Sequence, residues 1–145
     1  MGRIMAIDYG RKRVGIAVTD ELQLIANGLT TVAAHEIFTF LKSYLQHENV
    51  ETFVVGEPRQ MNNQPSESLQ FIIPFVNRLK KAYPDITVEM VDERFTSKMA
   101  FQTMIDAGLK KKDRQNKELV DTISATIILQ SYLNGKSIRK NQENS

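Results

Sequence analysis

Two short apolar runs, Ile4 to Asp8 and Phe53 to Gly56, flank a stretch whose hydrophobic period is helical, with Ile37, Phe38, Leu41, Tyr44 and Leu45 on one face. A period that switches from two to 3.6 and back describes a strand, a helix and a second strand, and a right-handed crossover makes such strands parallel. The chain is therefore expected to build an open α/β sheet. Between the first run and the helix, the turn-forming Tyr9 to Arg13 leads into a second strand, Val14 to Thr19, and a third run lies near Gly28 to Val32.

Past a polar loop, Glu57 to Gln64, a helix capped by Ser66 or Ser68 carries Phe71, Ile72, Phe75, Val76 and Leu79, with Pro74 expected to kink it. The strand Ile86 to Val91 follows, then a helix capped by Thr96 or Ser97 that runs to about Asp106 and stops at Gly108. A last helix, Glu118 to Leu133, is apolar over most of its girth and must be well buried, with Gly135 expected to end it. Residues 1–134 thus read as one domain and 135–145 as a polar, mobile tail. A chain of 145 residues is long enough for a core without staples.

The strands ending at Asp8, Gly56 and Asp92 become parallel neighbours, and open α/β sheets bind ligands at the carboxyl ends of such strands. Asp8, Glu57 and Glu93 are then expected to face one crevice, and Asp121 adds a carboxylate from the buried helix. Each has an ordinary structural explanation: an Asx-turn for Asp8, a salt bridge to Arg94 or a nearby Lys for Glu93, a bond to a neighbouring helix or Lys for Asp121. Their convergence on one sheet edge favours a shared hard cation, because clustered carboxylates repel one another unless neutralised. The chain has no cysteine and two histidines, so any metal must be held largely by oxygen.

Net charge is only +2, but basic residues bunch at Arg11-Lys12-Arg13, at Arg78 with Lys80 and Lys81, along Lys110 to Arg114, and at Lys136 with Arg139 and Lys140. Such clusters suit a polyanion, and a solvated surface is the other account of any one of them. Aromatic residues fall mostly at predicted core positions, which gives a base-stacking platform little support. No signal-peptide pattern or membrane-length apolar run is present, so a cytoplasmic location without membrane attachment is expected.

Four segments carry a family resemblance: Asp8-Tyr9-Gly10-Arg11-Lys12-Arg13-Val14-Gly15-Ile16-Ala17; Val54-Val55-Gly56-Glu57-Pro58; Asp92-Glu93-Arg94-Phe95-Thr96-Ser97 with Ala100; and Val120-Asp121 with Ala125 and Leu129. In this order, from about Ile4 to Leu133, they resemble the YqgF/RuvX family. Glu57 departs from the apolar residue that many members carry. The resemblance implies a ribonuclease H-like α/β fold: a mixed five-stranded sheet, its three N-terminal strands antiparallel and the rest parallel, flanked by helices. It also implies a metal-dependent nuclease that processes the 5′ end of pre-16S ribosomal RNA, with a Holliday-junction resolvase acting on DNA as the alternative. The family's acidic set maps onto Asp8, Glu93 and Asp121.

On that basis two Mg2+ or Mn2+ ions about 4 Å apart are expected, bridged by Asp8 and completed by Glu93 and Asp121. Nucleic-acid contacts are expected from Arg11, Lys12, Arg13, Arg59, Arg94, Lys98, Lys110, Lys111, Lys112 and Arg114. Pre-rRNA is the expected partner, branched DNA the alternative, with the chain a monomer or homodimer. Two rival classes are a phosphate-binding ATPase of the actin and sugar-kinase type, whose two lobes need more chain than this, and a non-catalytic RNA-binding assembly factor.

Overall fold

A computed structural model describes residues 2–57, 69–92 and 117–143. Five strands form one sheet: β1 (Arg3–Tyr9), β2 (Arg13–Thr19), β3 (Ala26–Ala33), β4 (Val50–Glu57) and β5 (Thr87–Asp92). Their spatial order is β3-β2-β1-β4-β5. The first three strands pair antiparallel, and β4 and β5 join β1 in parallel, as the resemblance implied.

The helices are α1 (Ile37–Leu45), entered through a 3-10 turn, α2 (Leu69–Ala82) and α3 (Lys117–Glu143). In α2 the residues Ile72, Phe75, Val76 and Leu79 recur at helical spacing and are all buried, while Lys80 and Lys81 fall in the last turn, where cations complement the helix dipole. Pro74 is exposed, and α2 is one helix across it.

Strand alternation divides the core in two. Met5, Ile7, Ile16, Phe53 and Val55 point to one face and pack with Ile37, Leu41, Phe75 and Leu79 of α1 and α2. Ile4, Ala6, Ala17 and Val54 point to the other face and meet Ala125, Ile128 and Leu129 of α3. Burial of these apolar side chains, at about 1.5–3 kcal/mol for each large one, is the main term holding the layers together.

The α3 face has unusually small residues. A Cβ added to Gly15 would lie 2.1 Å from the Asp121 carbonyl oxygen, and one added to Gly28 would lie 2.7 Å from Thr122 Cγ2. The helix backbone therefore rests directly on the β2–β3 hairpin. Thr31 Oγ1 and Thr122 Oγ1 share a hydrogen bond of 2.7 Å across this contact, and at the far edge the Tyr132 hydroxyl bonds Glu89 of β5.

Two sequence expectations change. Gly135 does not end the last helix: α3 continues to Glu143, so residues 135–143, expected as a tail, are helical. An interior glycine costs a helix only about 1 kcal/mol relative to alanine, too little to stop one by itself. The helix expected between Thr96 and Asp106 lies outside the described residues. Among the described residues no helix is long and apolar enough to cross a membrane.

Gly15→Ala should destabilise the protein by about 3 kcal/mol in chemical denaturation, because α3 must lift off the sheet to admit one methyl group. Gly135→Ala, with nothing within 4 Å of the added carbon, should instead stabilise by about 0.5–1 kcal/mol. Equal effects at the two positions would contradict the close helix–sheet contact.

Candidate functional site

The site forms at the carboxyl end of β1. In that strand Ile4, Ala6 and Asp8 point toward α3, and the apolar residues end one step before the sheet edge, so Asp8 is the member of the row that meets the crevice. Its cross-strand partner is Gly15. Because Gly15 has no side chain, the α3 backbone at Asp121 occupies the space beside it, and two carboxylates far apart in sequence become neighbours.

Electrostatics records that proximity. Burial first, and the nearby Asp121 charge second, push the Asp8 carboxyl up to about 6. Asp121 has a cation of its own: Arg13 Nε donates to Asp121 Oδ2 at 2.7 Å, with the two side chains 34% and 23% exposed. That degree of shelter makes the pair stronger than a fully solvated surface bridge. Arg13 starts β2 on the same face as Gly15, so guanidinium and carboxylate meet directly above the notch. Arg13, expected as a phosphate contact, is thus first of all the partner of Asp121.

Arg11 and Lys12 are exposed in the β1–β2 turn, where the Gly10 amide donates to the Arg13 carbonyl oxygen at 3.0 Å and the Ala34 amide to the Lys12 carbonyl oxygen at 2.9 Å. Glu93, Arg59, Arg94, Lys98, Lys110, Lys111, Lys112 and Arg114 lie outside the described residues. Glu57 was expected in the crevice with Asp8. Alternation along β4 places it instead on the face of Phe53 and Val55, opposite the α3 side.

Among the described residues no three acidic or histidine side chains gather as a cation site. The two that do gather fit a hard divalent ion by their chemistry: oxygen donors, one of them largely buried and raised by the charge of the other. Such a pair can take up a divalent cation or a proton, and a cation would offset both the burial and the Asp121 charge that raise Asp8.

Sequence reasoning also missed an aromatic cluster on the other face of the same sheet edge. Tyr9 stacks on Phe75 with ring centroids 4.2 Å apart and 13° between planes, and Phe38 tilts against Phe75 at 5.7 Å. Arg11 caps Phe71 at 4.0 Å and Arg78 caps Phe38 at 4.1 Å. The signal was available: helical spacing puts Phe71, Phe75 and Arg78 on adjoining turns of α2, yet the aromatic residues looked like core alone.

Comparison with known proteins agrees with this architecture. A family model described as RuvX, Holliday junction resolvase, matches residues 2–135. A protein of Phocaeicola vulgatus named "Putative pre-16S rRNA nuclease" is 65% identical over 94% of this chain and 98% of its own length. A Bacteroides fragilis protein of the same name is 63% identical over 95% of this chain and 100% of its own. Among solved structures, "T. thermophilus RuvC in complex with Holliday junction substrate" superposes with a TM-score of 0.51 at 16% identity, covering 88% of this chain and 92% of that one, which establishes a shared fold.

The Asp8 shift sets a pH dependence in metal-free protein. Between about 3.8 and 6 the folded state binds more protons than the unfolded chain, so stability falls as pH rises through that window and the full cost applies above it. In chelator at pH 7.5, Asp8→Asn should therefore be more stable than the parent by about 3 kcal/mol. The gain should vanish as the pH is lowered toward 4. Denaturant titrations across this range check the sign, and a variant less stable at neutral pH would refute it.

Proposed function

The chain belongs to the RuvX family, and from that premise we propose that it is a metal-dependent nuclease that hydrolyses phosphodiester bonds, with precursor 16S ribosomal RNA as its substrate. The observation that carries the proposal is the meeting of Asp8 and Asp121 above Gly15, in a site whose electrostatics call for a cation. The substrate follows from relatives 63–65% identical over nearly their whole length, whose name specifies it.

Asp8 and Asp121, joined by Glu93 from just beyond β5, are the residues proposed to hold Mg2+ or Mn2+. When bound, such ions activate water and neutralise charge on the phosphate. The chain's own contributions are distinct. Strand β1 fixes Asp8 on a rigid element at the sheet centre, which limits its wandering. The Arg13 pair fixes the Asp121 carboxylate and offsets one negative charge, so that a polyanionic substrate meets a less repulsive site. Arg11 and Lys12 are proposed to meet backbone phosphates, a reading that their exposure on the adjoining turn supports; contacts of that kind position a substrate without reading its sequence.

The family's description supplies a second reading, cleavage of four-way DNA junctions, for which the same carboxylates would serve. One assay separates them. Purified protein is incubated with precursor rRNA, single-stranded RNA and a four-way DNA junction, in Mg2+ and in Mn2+. Cleavage is expected on the precursor RNA, to be abolished by chelation, and to fall by on the order of a hundredfold or more in Asp8→Asn, since even outer partners of metal ligands cost 10–100-fold. Undiminished activity in that variant would remove Asp8 from the site, and cleavage confined to the junction would transfer the function to DNA.

A further inference from the structure

Consecutive residues of a strand point to opposite faces, so the end of β1 serves two surfaces: Asp8 opens toward α3, and Tyr9 opens toward α1 and α2. On the Tyr9 side lies a recess of about 200 Å³ whose lining includes Tyr9, His35, Phe38, Phe71, Phe75 and Arg78. That volume is below the usual range for drug-sized ligands and suits one flat ring system. We propose that this recess is a stacking site for an unpaired nucleobase of the substrate strand, on the opposite face of the sheet edge whose other face carries Asp8 and Asp121. It rests on the nuclease reading and adds to it the requirement for a single-stranded flank.

Three features point to a nucleotide as occupant. The walls are aromatic faces, and every nucleobase presents a matching π-surface regardless of sequence. Two guanidinium groups, Arg11 over Phe71 and Arg78 over Phe38, hold positive charge at the rims, where the phosphates on either side of a stacked base would run. Phe71 is also 36% exposed, although its neighbours on the helix, Ile72 and Phe75, are 2% and 4% exposed, so its ring lies outside the core, with one face under the Arg11 guanidinium. An apolar ligand without charge would leave both arginines unused, and a base within a duplex has no free face to offer.

The test measures binding of the full chain carrying Asp8→Asn, so that nothing is cut, to single-stranded RNA of about twelve nucleotides, within the span one groove tracks. The RNA carries one fluorescent adenine analogue whose emission is quenched on stacking. A blunt RNA duplex of equal length is the comparison. Phe71→Ala is expected to weaken single-strand binding about tenfold and relieve the quenching, with the duplex affinity unchanged. Arg78→Ala is expected to weaken single-strand binding and lower its salt slope by about one. Both positions are on the exposed side of α2, and an unchanged melting temperature will show that each variant is folded.

Equal losses on single strand and duplex, or no loss on either, would overturn the proposal. The two readings fail separately. If the parent chain cuts no nucleic acid but single-strand binding depends on Phe71, the recess stands and the nuclease assignment falls. If the parent cuts precursor RNA and Phe71→Ala binds it as tightly as before, the recess alone falls.

Discussion

The contact between the α3 backbone and the vacant side-chain position of Gly15 governs the rest of the molecule. Helices pack on sheets through side chains, and the separation follows from their bulk. Here glycine at 15 and 28, with alanine at 6, 17 and 125, thins the layer until the helix at Asp121 touches the strand itself. Dispersion between closely fitted surfaces recovers what the small side chains forgo in buried area. The same thinning decides the chemistry, since a helix held a normal side-chain layer away would leave Asp121 remote from Asp8.

Packing of this kind imposes an electrostatic cost. Two carboxylates sheltered from water repel one another, and the Arg13 guanidinium, paired with Asp121, leaves the Asp8 carboxyl raised. The apolar contacts on the two faces of the sheet hold the groups together against that repulsion, which is why a functional edge sits on a sheet whose central strand β1 is buried on both sides. Local destabilisation of this sort is what a binding site looks like before its ligand arrives.

Much of the architecture was legible because it rests on local period. The runs at Ile4, Val14, Phe53 and Ile86, and the helical faces at Ile37 and Ile72, announce their elements, and the hairpin and crossover rules order the strands. Asp8 and Asp121 were legible as a pair from the strand end and the buried helix that carry them, and again through family motifs, though not the means of their meeting. Nothing beside Gly15 in the sequence marks it as a site of close approach; only the helix that fills the gap, more than a hundred residues later, gives it that meaning. Gly135 read as a stop, because glycine ends many helices, but an end also needs a chain that turns away. Glu57 was misjudged by one step of alternation, the smallest error a strand permits and enough to change its face. The aromatic recess was hidden for a different reason. Core and platform use the same residue types, and only exposure separates Phe71 from Phe75.

The ion pair between Arg13 and Asp121 spans 108 positions of the chain, and this distance has a consequence for synthesis. During translation β1 and β2 leave the ribosome long before the segment that carries Asp121, at about 5–20 residues per second. The nascent hairpin then holds Asp8 and Arg13 without the helix that arranges them. The pairing of Asp8 with Asp121, on which the proposed activity rests, is therefore withheld until α3 docks. An enzyme proposed to cut ribosomal RNA would emerge from a machine built of that RNA with its blade still unassembled.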